Sequence, residues 1–211
     1  MNITIVGGGF GGVKAALELA ENENNQITLI TDKPDFQYYP ALFSTATGYR
    51  HLQSWVPLGL IFAGKSNVLV ILDSITKINP DTKTLTGASG EEYTYHKCIM
   101  AMGMVTTFFG IEGLDTYAHG IKSAEEITRI KHQIFKDIAE EGKLDKHYVV
   151  IGAGPTGVEL SAALGVYLKA LCKKFKVSDN SLCIDLIEAA PRVLPRMSEK
   201  ASRKVEKRLK K

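Results

Sequence analysis

Cysteine is scarce in this chain of 211 residues: Cys98, Cys172 and Cys183 are the only three, unclustered and in apolar settings. No CxxC and no metal-ligand spacing joins them, which excludes a disulfide scaffold and a thiol redox pair and leads us to expect no metal. They fit buried thiols in a reducing compartment. Long apolar runs are missing too. The longest, Cys98 to Ile111, is too short and too interrupted to cross a bilayer. No charged start leads into a long apolar core, so no signal peptide is expected and the chain reads as cytoplasmic. Low-complexity segments are absent, and no evident nucleophile triad stands out. Charge of one sign is lacking except at one end. From Arg192 onward nine Lys or Arg face two Glu, a net of +7, which leaves −4 for residues 1–191 within a total of +3. We read that basic end as a solvated helix face rather than as a nucleic-acid or lipid site. With 45% hydrophobic and 23% charged residues, the chain is long enough to bury a core as one large domain or two small ones.

Glycine, in contrast, is placed with purpose. ITIVGGGFGG runs from Ile3 to Gly12, and YVVIGAGPTGVE from Tyr148 to Glu159. Each is a β-branched run that breaks into a glycine cluster and continues in a helical pattern. Each spells GxGxxG, as Gly7, Gly9, Gly12 and, 145 residues later, as Gly152, Gly154, Gly157. In that pattern the first glycine makes the tight turn, the second lets a pyrophosphate approach bare backbone, and the third lets helix and strand touch. The anion then meets unpaired N–H groups at the positive end of the helix. Two copies in the same context predict two bound dinucleotides.

After the first motif, Val13, Ala16, Leu17 and Ala20 share one helical face. The next strand, Ile27 to Ile30, ends at Thr31 and Asp32, where an acid can accept from a ribose hydroxyl; Asp32 stands one residue late for this role, and a turn before Pro34 explains it as well. Phe36 to Trp55 reads as irregular and aromatic, suited either to lining a flat-ring cofactor or to packing a loop. Residues 67–102 read as β structure: Val68 to Leu72, Ile75 to Ile78, Lys83 to Thr86, Glu92 to Tyr95 and Cys98 to Met102, with a turn at Asn79, Pro80 and Asp81. Such close spacing predicts a small antiparallel meander on a parallel sheet. Ser123 to Gly142 reads as a helix with a Ser123–Glu126 capping box, a buried stripe of Ile127, Ile130, Ile134 and Ile138, and a stop at Gly142. In the second half a long helix runs to about Phe175. A loop at Ser178 to Ser181 and a strand from Cys183 to Ile187 follow, and Glu188 is placed to take both ribose hydroxyls and repel a 2′-phosphate. Ser198 opens a basic helix with a narrow stripe of Ala201, Val205 and Leu209. The second half offers only two strands in all, so we expect an N-terminal portion of something longer, or a chain completed by a partner.

The expected fold is α/β, with tandem Rossmann-like dinucleotide-binding units, an antiparallel meander and a second unit left incomplete. The domains divide at 1–122, 123–145 as a linking helix, and 146–211. These stretches resemble the two-dinucleotide flavoprotein oxidoreductases, above all the type II NADH dehydrogenases, which are single-subunit NADH:quinone oxidoreductases. The resemblance covers nearly the whole chain. It is carried by GGGFGG, by PALFSTATG at Pro40 to Gly48, by HKCIMAMG ending at Gly103, and by FFGIEGL at Phe108 to Leu114. GAGPTGVELSAAL at Gly152 to Leu164 and IEAAPRVLP at Ile187 to Pro195 are its most specific parts.

By that resemblance FAD falls to Gly7, Gly8, Gly9, Phe10, Gly11, Gly12, Thr31, Asp32, Lys33, Pro40, Thr47, Ser74, Ile75, Ala101 and Gly103. NADH falls to Gly152, Gly154, Pro155, Thr156, Gly157 and Glu188. Glu159 matches the acid near nicotinamide and flavin, where a buried carboxylate orients the ring; a helix first-turn acid is the plainer explanation. Thr31 stands where the family has an acid and Met102 where it has Thr. The segments for the closing FAD strand, the quinone pocket and the membrane-binding helices are not in this sequence. The resemblance implies a hydride passed from NADH to FAD and electrons given to a quinone, in a parent protein that is peripheral on the inner face of the cell membrane and a homodimer. The alternatives are a related reductase with a protein acceptor, or a truncated fragment that only binds nucleotide. The branch with a cysteine pair soon after the first unit is discarded, because residues 13–97 contain no Cys.

Overall fold

β-branched runs set the strands, and what covers each face of them sets the architecture. The computed structural model describes residues 1–140, 147–179 and 182–210. In chain order the elements are β1 (Asn2–Val6), α1 (Phe10–Ala20), β2 (Gln26–Thr31), β3 (Asp35–Gln37), α2 (Leu42–Ala46), β4 (Trp55–Pro57), α3 (Leu58–Ile61), β5 (Val68–Leu72), β6 (Ile75–Asn79), β7 (Thr84–Gly87), β8 (Glu92–Thr94) and β9 (Lys97–Met100). There follow α4 (Leu114–Tyr117), α5 (Ala124–Phe135), β10 (His147–Ile151), α6 (Pro155–Phe175), β11 (Cys183–Ile187) and α7 (Glu199–Leu209). The chain divides into two compact units, Met1–Tyr38 with His51–Thr107, and Tyr39–Arg50 with Phe108–Lys211. The fold is α/β, with parallel sheets and additional antiparallel ones.

In the first unit a parallel sheet has the order β5-β2-β1-β9, with Ile5 opposite Leu29 and Ile99. Alternation sends Ile3, Ile5, Ile27 and Leu29 to one face, where they pack on Val13, Ala16 and Ala20 of α1 and on Leu58 and Phe62. Val6 and Ile30 go to the other face and meet Leu85, with Ile75 and Tyr93 around it, from the antiparallel sheet β6-β7-β8. Asp73 anchors that meander. Its carboxylate accepts from Ser74 N (2.7 Å), Ser89 Oγ (2.5 Å) and Tyr93 OH (2.8 Å), which holds it down at about 2, the Ser89 hydroxyl contributing most.

Two expectations change here. Of the five strands read within residues 67–102, the first and last leave the meander and form the two edges of the parallel sheet, where β5 pairs with β2 and β9 with β1. The stretch from Phe36 to Trp55 is built of short elements rather than irregular chain: β3 pairs antiparallel with β4 through Phe36 and Val56, while α2 belongs to the second unit.

In the second unit β10 and β11 pair in parallel, Ile151 opposite Ile187. One face, with Tyr148 and Ile184, packs against Leu164, Leu168 and Cys172 of α6 and against Ile134 and Ile138. The opposite face stands open: Val149, Ile151 and Ile187 are each more than half exposed. The capping box forms as the sequence predicts, with Ser123 Oγ accepting from Glu126 N and Glu126 accepting from Ser123 N. α5 gives way to a π-helical turn at Lys136–Glu140, and the expected stop at Gly142 lies outside the described residues, as does the end of the loop expected at Ser178 to Ser181. Among the described residues the buried Tyr148 hydroxyl meets no partner, and burial pushes that phenol up to about 12. Among the described residues no helix is long and apolar enough to cross a membrane.

Candidate functional site

Each unit carries one glycine corner, and the two are built alike. At the first, Gly7 N donates to Ile30 O at 2.8 Å; at the second, Gly152 N donates to Ile187 O at 2.8 Å. Both glycines take positive φ, +108° and +98°, a region that side chains disfavour. A Cβ on Gly12 would run into the Gly7 carbonyl, and one on Gly157 into the Gly152 carbonyl. These are the tight turns and the helix-to-strand contacts that the pattern requires.

The remaining glycine of each motif is the informative one. Gly9 and Gly154 are the N-caps of α1 and α6; neither helix start has a side-chain cap, and neither has an acid in its first turn. A Cβ added at either would meet nothing within 4 Å. The glycine caps and the positive end of each helix therefore face open space of a kind suited to a diphosphate. Pro155 at the first position of α6 has no N–H to leave unmatched. Thr156 is exposed beside it, and Gly157 is buried.

Around the first corner, Gly8 lies against Thr31, whose Oγ1 would be 2.7 Å from an added Cβ. Thr31 is buried at the end of β2, and Asp32 is exposed one residue further. Thr31 Oγ1 accepts from Lys33 N at 3.4 Å, while Lys33 Nζ reaches Gln37 Oε1 at 3.4 Å. Ala101 N donates to Val6 O at 2.8 Å and so backs the turn, next to the exposed Gly103. A Cβ added at Gly11 would lie 3.7 Å from the Ala101 methyl. Phe10 opens α1 and packs edge-on against Phe36 at 4.8 Å. Asp73 N donates to Thr31 O at 2.9 Å, which carries Ser74 and Ile75 to the same sheet end. Pro40 and Thr47 fall in the second unit; Thr47 spends its hydroxyl on Phe43 O at 2.9 Å.

At the second corner Glu188 is the first residue after β11. Its carboxylate accepts from Ala190 N at 3.0 Å and Ala153 N at 2.8 Å. Those backbone donors, Ala190 first, hold it below the usual carboxylate range, so it is a fixed anion beside the glycine turn. Arg192 points elsewhere, donating to Pro195 O at 2.8 Å and Met197 O at 2.9 Å. By register Ile30 and Ile187 are equivalent, and hence so are Thr31 and Glu188. The acid position of the first corner therefore holds a neutral hydroxyl, with Asp32 one residue out. Glu159 lies in the second turn of α6 and is exposed; neither burial nor a first-turn position explains it. Ala153 O accepting from Leu194 N at 2.8 Å is a feature that the sequence did not suggest, and it ties the loop after Glu188 to the turn.

Two parallel β-turn-α corners with bare glycine backbones define a tandem dinucleotide-binding protein. Residues 1–211 match the model of the pyridine nucleotide-disulphide oxidoreductase family, and the chain belongs to that family. It is 32% identical over 225 aligned positions to a type II NADH:quinone oxidoreductase of Mycobacterium tuberculosis, covering 99% of this chain and 47% of that protein. A type II NADH:quinone oxidoreductase of Staphylococcus aureus is 30% identical over 208 positions, 93% of this chain and 51% of the relative. The structure of NDH2 from Plasmodium falciparum in complex with NADH superposes with a TM-score of 0.86 at 24% identity, over 99% of this chain and 46% of that one, a likeness of fold. The chain thus spans about half the length of these relatives.

Proposed function

We propose that the chain is the nucleotide-binding half of an NADH-dependent flavoprotein, with FAD at the Gly7 corner and NADH at the Gly152 corner, and that the protein of which it forms part passes electrons from NADH through FAD to a quinone. The observation that carries this reading is Glu188, fixed by Ala153 N and Ala190 N at the glycine turn. A carboxylate there accepts from the 2′- and 3′-hydroxyls of NADH and repels the extra phosphate of NADPH. The assignment of FAD to the other corner is supported by the glycine turn itself and by the aromatic Phe10 and Phe36 beside it, with the exposed Asp32 taking the ribose in place of the acid that Thr31 lacks. The backbone N–H groups of the helix starts at Gly9 and Gly154 would each hold a diphosphate; the turns at Gly7 and Gly152 aim them. Bound FAD supplies the hydride-accepting ring. The quinone comes from the names of the relatives, whereas a membrane surface and a homodimer are proposed from the sequence resemblance alone. The names of those relatives favour a quinone over a protein acceptor.

The test is optical. The purified protein should be yellow, NADH should bleach its flavin absorbance while NADPH does so poorly, and a soluble quinone should restore it. Glu188→Arg should erase the NADH preference through a loss of about tenfold or more in NADH affinity, the worth of a charged hydrogen bond. A colourless folded protein would overturn the FAD assignment, and unchanged preference in the variant would overturn the role of Glu188.

A further inference from the structure

The cysteine spacing gave no hint of a metal, yet the register of the second sheet assembles three different donors. His147 and Cys183, the first residues of β10 and β11, lie directly opposite one another, and Asp185 is two residues further along β11 on the same face. His147 Nδ1 is 3.8 Å from Asp185 Oδ2, and Cys183 Sγ is 3.7 Å from Asp185 Oδ1. All three donor atoms lie within 4.8 Å of one another. In a tetrahedral zinc site with bonds near 2.0 Å to N or O and 2.3 Å to S, neighbouring ligand atoms are about 3.3 to 3.6 Å apart. Small side-chain rotations close that difference. An imidazole, a thiol and a carboxylate are a borderline set that suits zinc rather than magnesium or calcium. His147 and Asp185 are exposed and Cys183 is partly so, which leaves an entry path and a fourth position for water.

We propose that His147, Cys183 and Asp185 bind a zinc ion that staples the leading ends of β10 and β11. The site sits on the sheet face that α6 does not cover, four residues or roughly 13 Å along the strand before Ile151, which itself precedes the glycine corner. It is therefore separate from the Glu188 corner and does not depend on the coenzyme assignment. The ion cross-links two strands that have no third neighbour among the described residues.

The test uses the whole chain with zinc, and with cobalt as its coloured stand-in. Cobalt should produce thiolate-to-metal charge-transfer absorption in the near ultraviolet, which zinc abolishes by displacement. Cys183→Ser should remove that absorption, whereas Cys98→Ser should keep it. His147→Ala and Asp185→Asn should each weaken zinc binding by more than about tenfold, on the scale of known losses at metal sites. Zinc should raise the Tm of the unaltered chain and leave that of the His147→Ala, Cys183→Ser double variant unmoved. Absorption that survives Cys183→Ser, or a Tm indifferent to zinc in the unaltered chain, would overturn the proposal.

Discussion

The two glycine corners share one backbone plan and differ in what surrounds it. At Gly7 a Cβ would strike the Ala101 carbonyl, because β9 lies beside β1; at Gly152 it would meet nothing within 4 Å. The first sheet has α1 on one face and a three-stranded meander on the other, whereas the second has α6 on one face and open, apolar Val149, Ile151 and Ile187 on the other. Strand order, not the motif, makes these differences. A glycine can therefore be required twice over in one copy, by turn and by neighbour, and once only in the other.

That contrast can be broken by substitution. Gly12→Ala and Gly157→Ala should be equally severe, each costing about 3 kcal/mol or more, since neither Cβ can avoid the carbonyl of the turn; urea unfolding of the two variants measures it. Gly7→Ala and Gly152→Ala should not be equal. The second meets only the cost of a positive φ, about 1 to 2 kcal/mol, and the first adds the clash with Ala101, so a smaller loss at Gly7 would contradict the described packing. The smallest effect concerns the meander, which only the first unit has among the described residues. Asp73 is depressed from 3.8 to about 2, so the anchoring it provides is complete above pH 3.8 and fades as pH falls through about 2. Amide exchange at Ser74 and Ser89 should quicken over that window, and in Asp73→Asn the exchange should already be quick at neutral pH.

Much of this was legible in the chain. The helix faces of Val13, Ala16 and Ala20, the Ser123 capping box and both glycine turns follow from local spacing, and local spacing survives folding. What escaped depended on pairing across distance. Whether Val68 to Leu72 joins a meander or a parallel edge is decided by β2, some forty residues away, and nothing within the strand announces it. The His147, Cys183 and Asp185 cluster was hidden for the same reason, as was the loop tie from Leu194 to Ala153. Glu159 shows another limit: a motif position gives an acid a place on a helix, while its exposure depends on what stands around it.

The central claim is that both corners are open backbone waiting for a diphosphate, and side chains placed at Gly9 and Gly154 test it most directly, because a Cβ there touches no protein atom within 4 Å. Calorimetric titration of the flavin-free protein with FAD and then NADH should find one site for each. Gly9→Val should fold with near-native stability and lose FAD alone, and Gly154→Val should do the same for NADH. Full binding of both coenzymes by either variant would contradict the account.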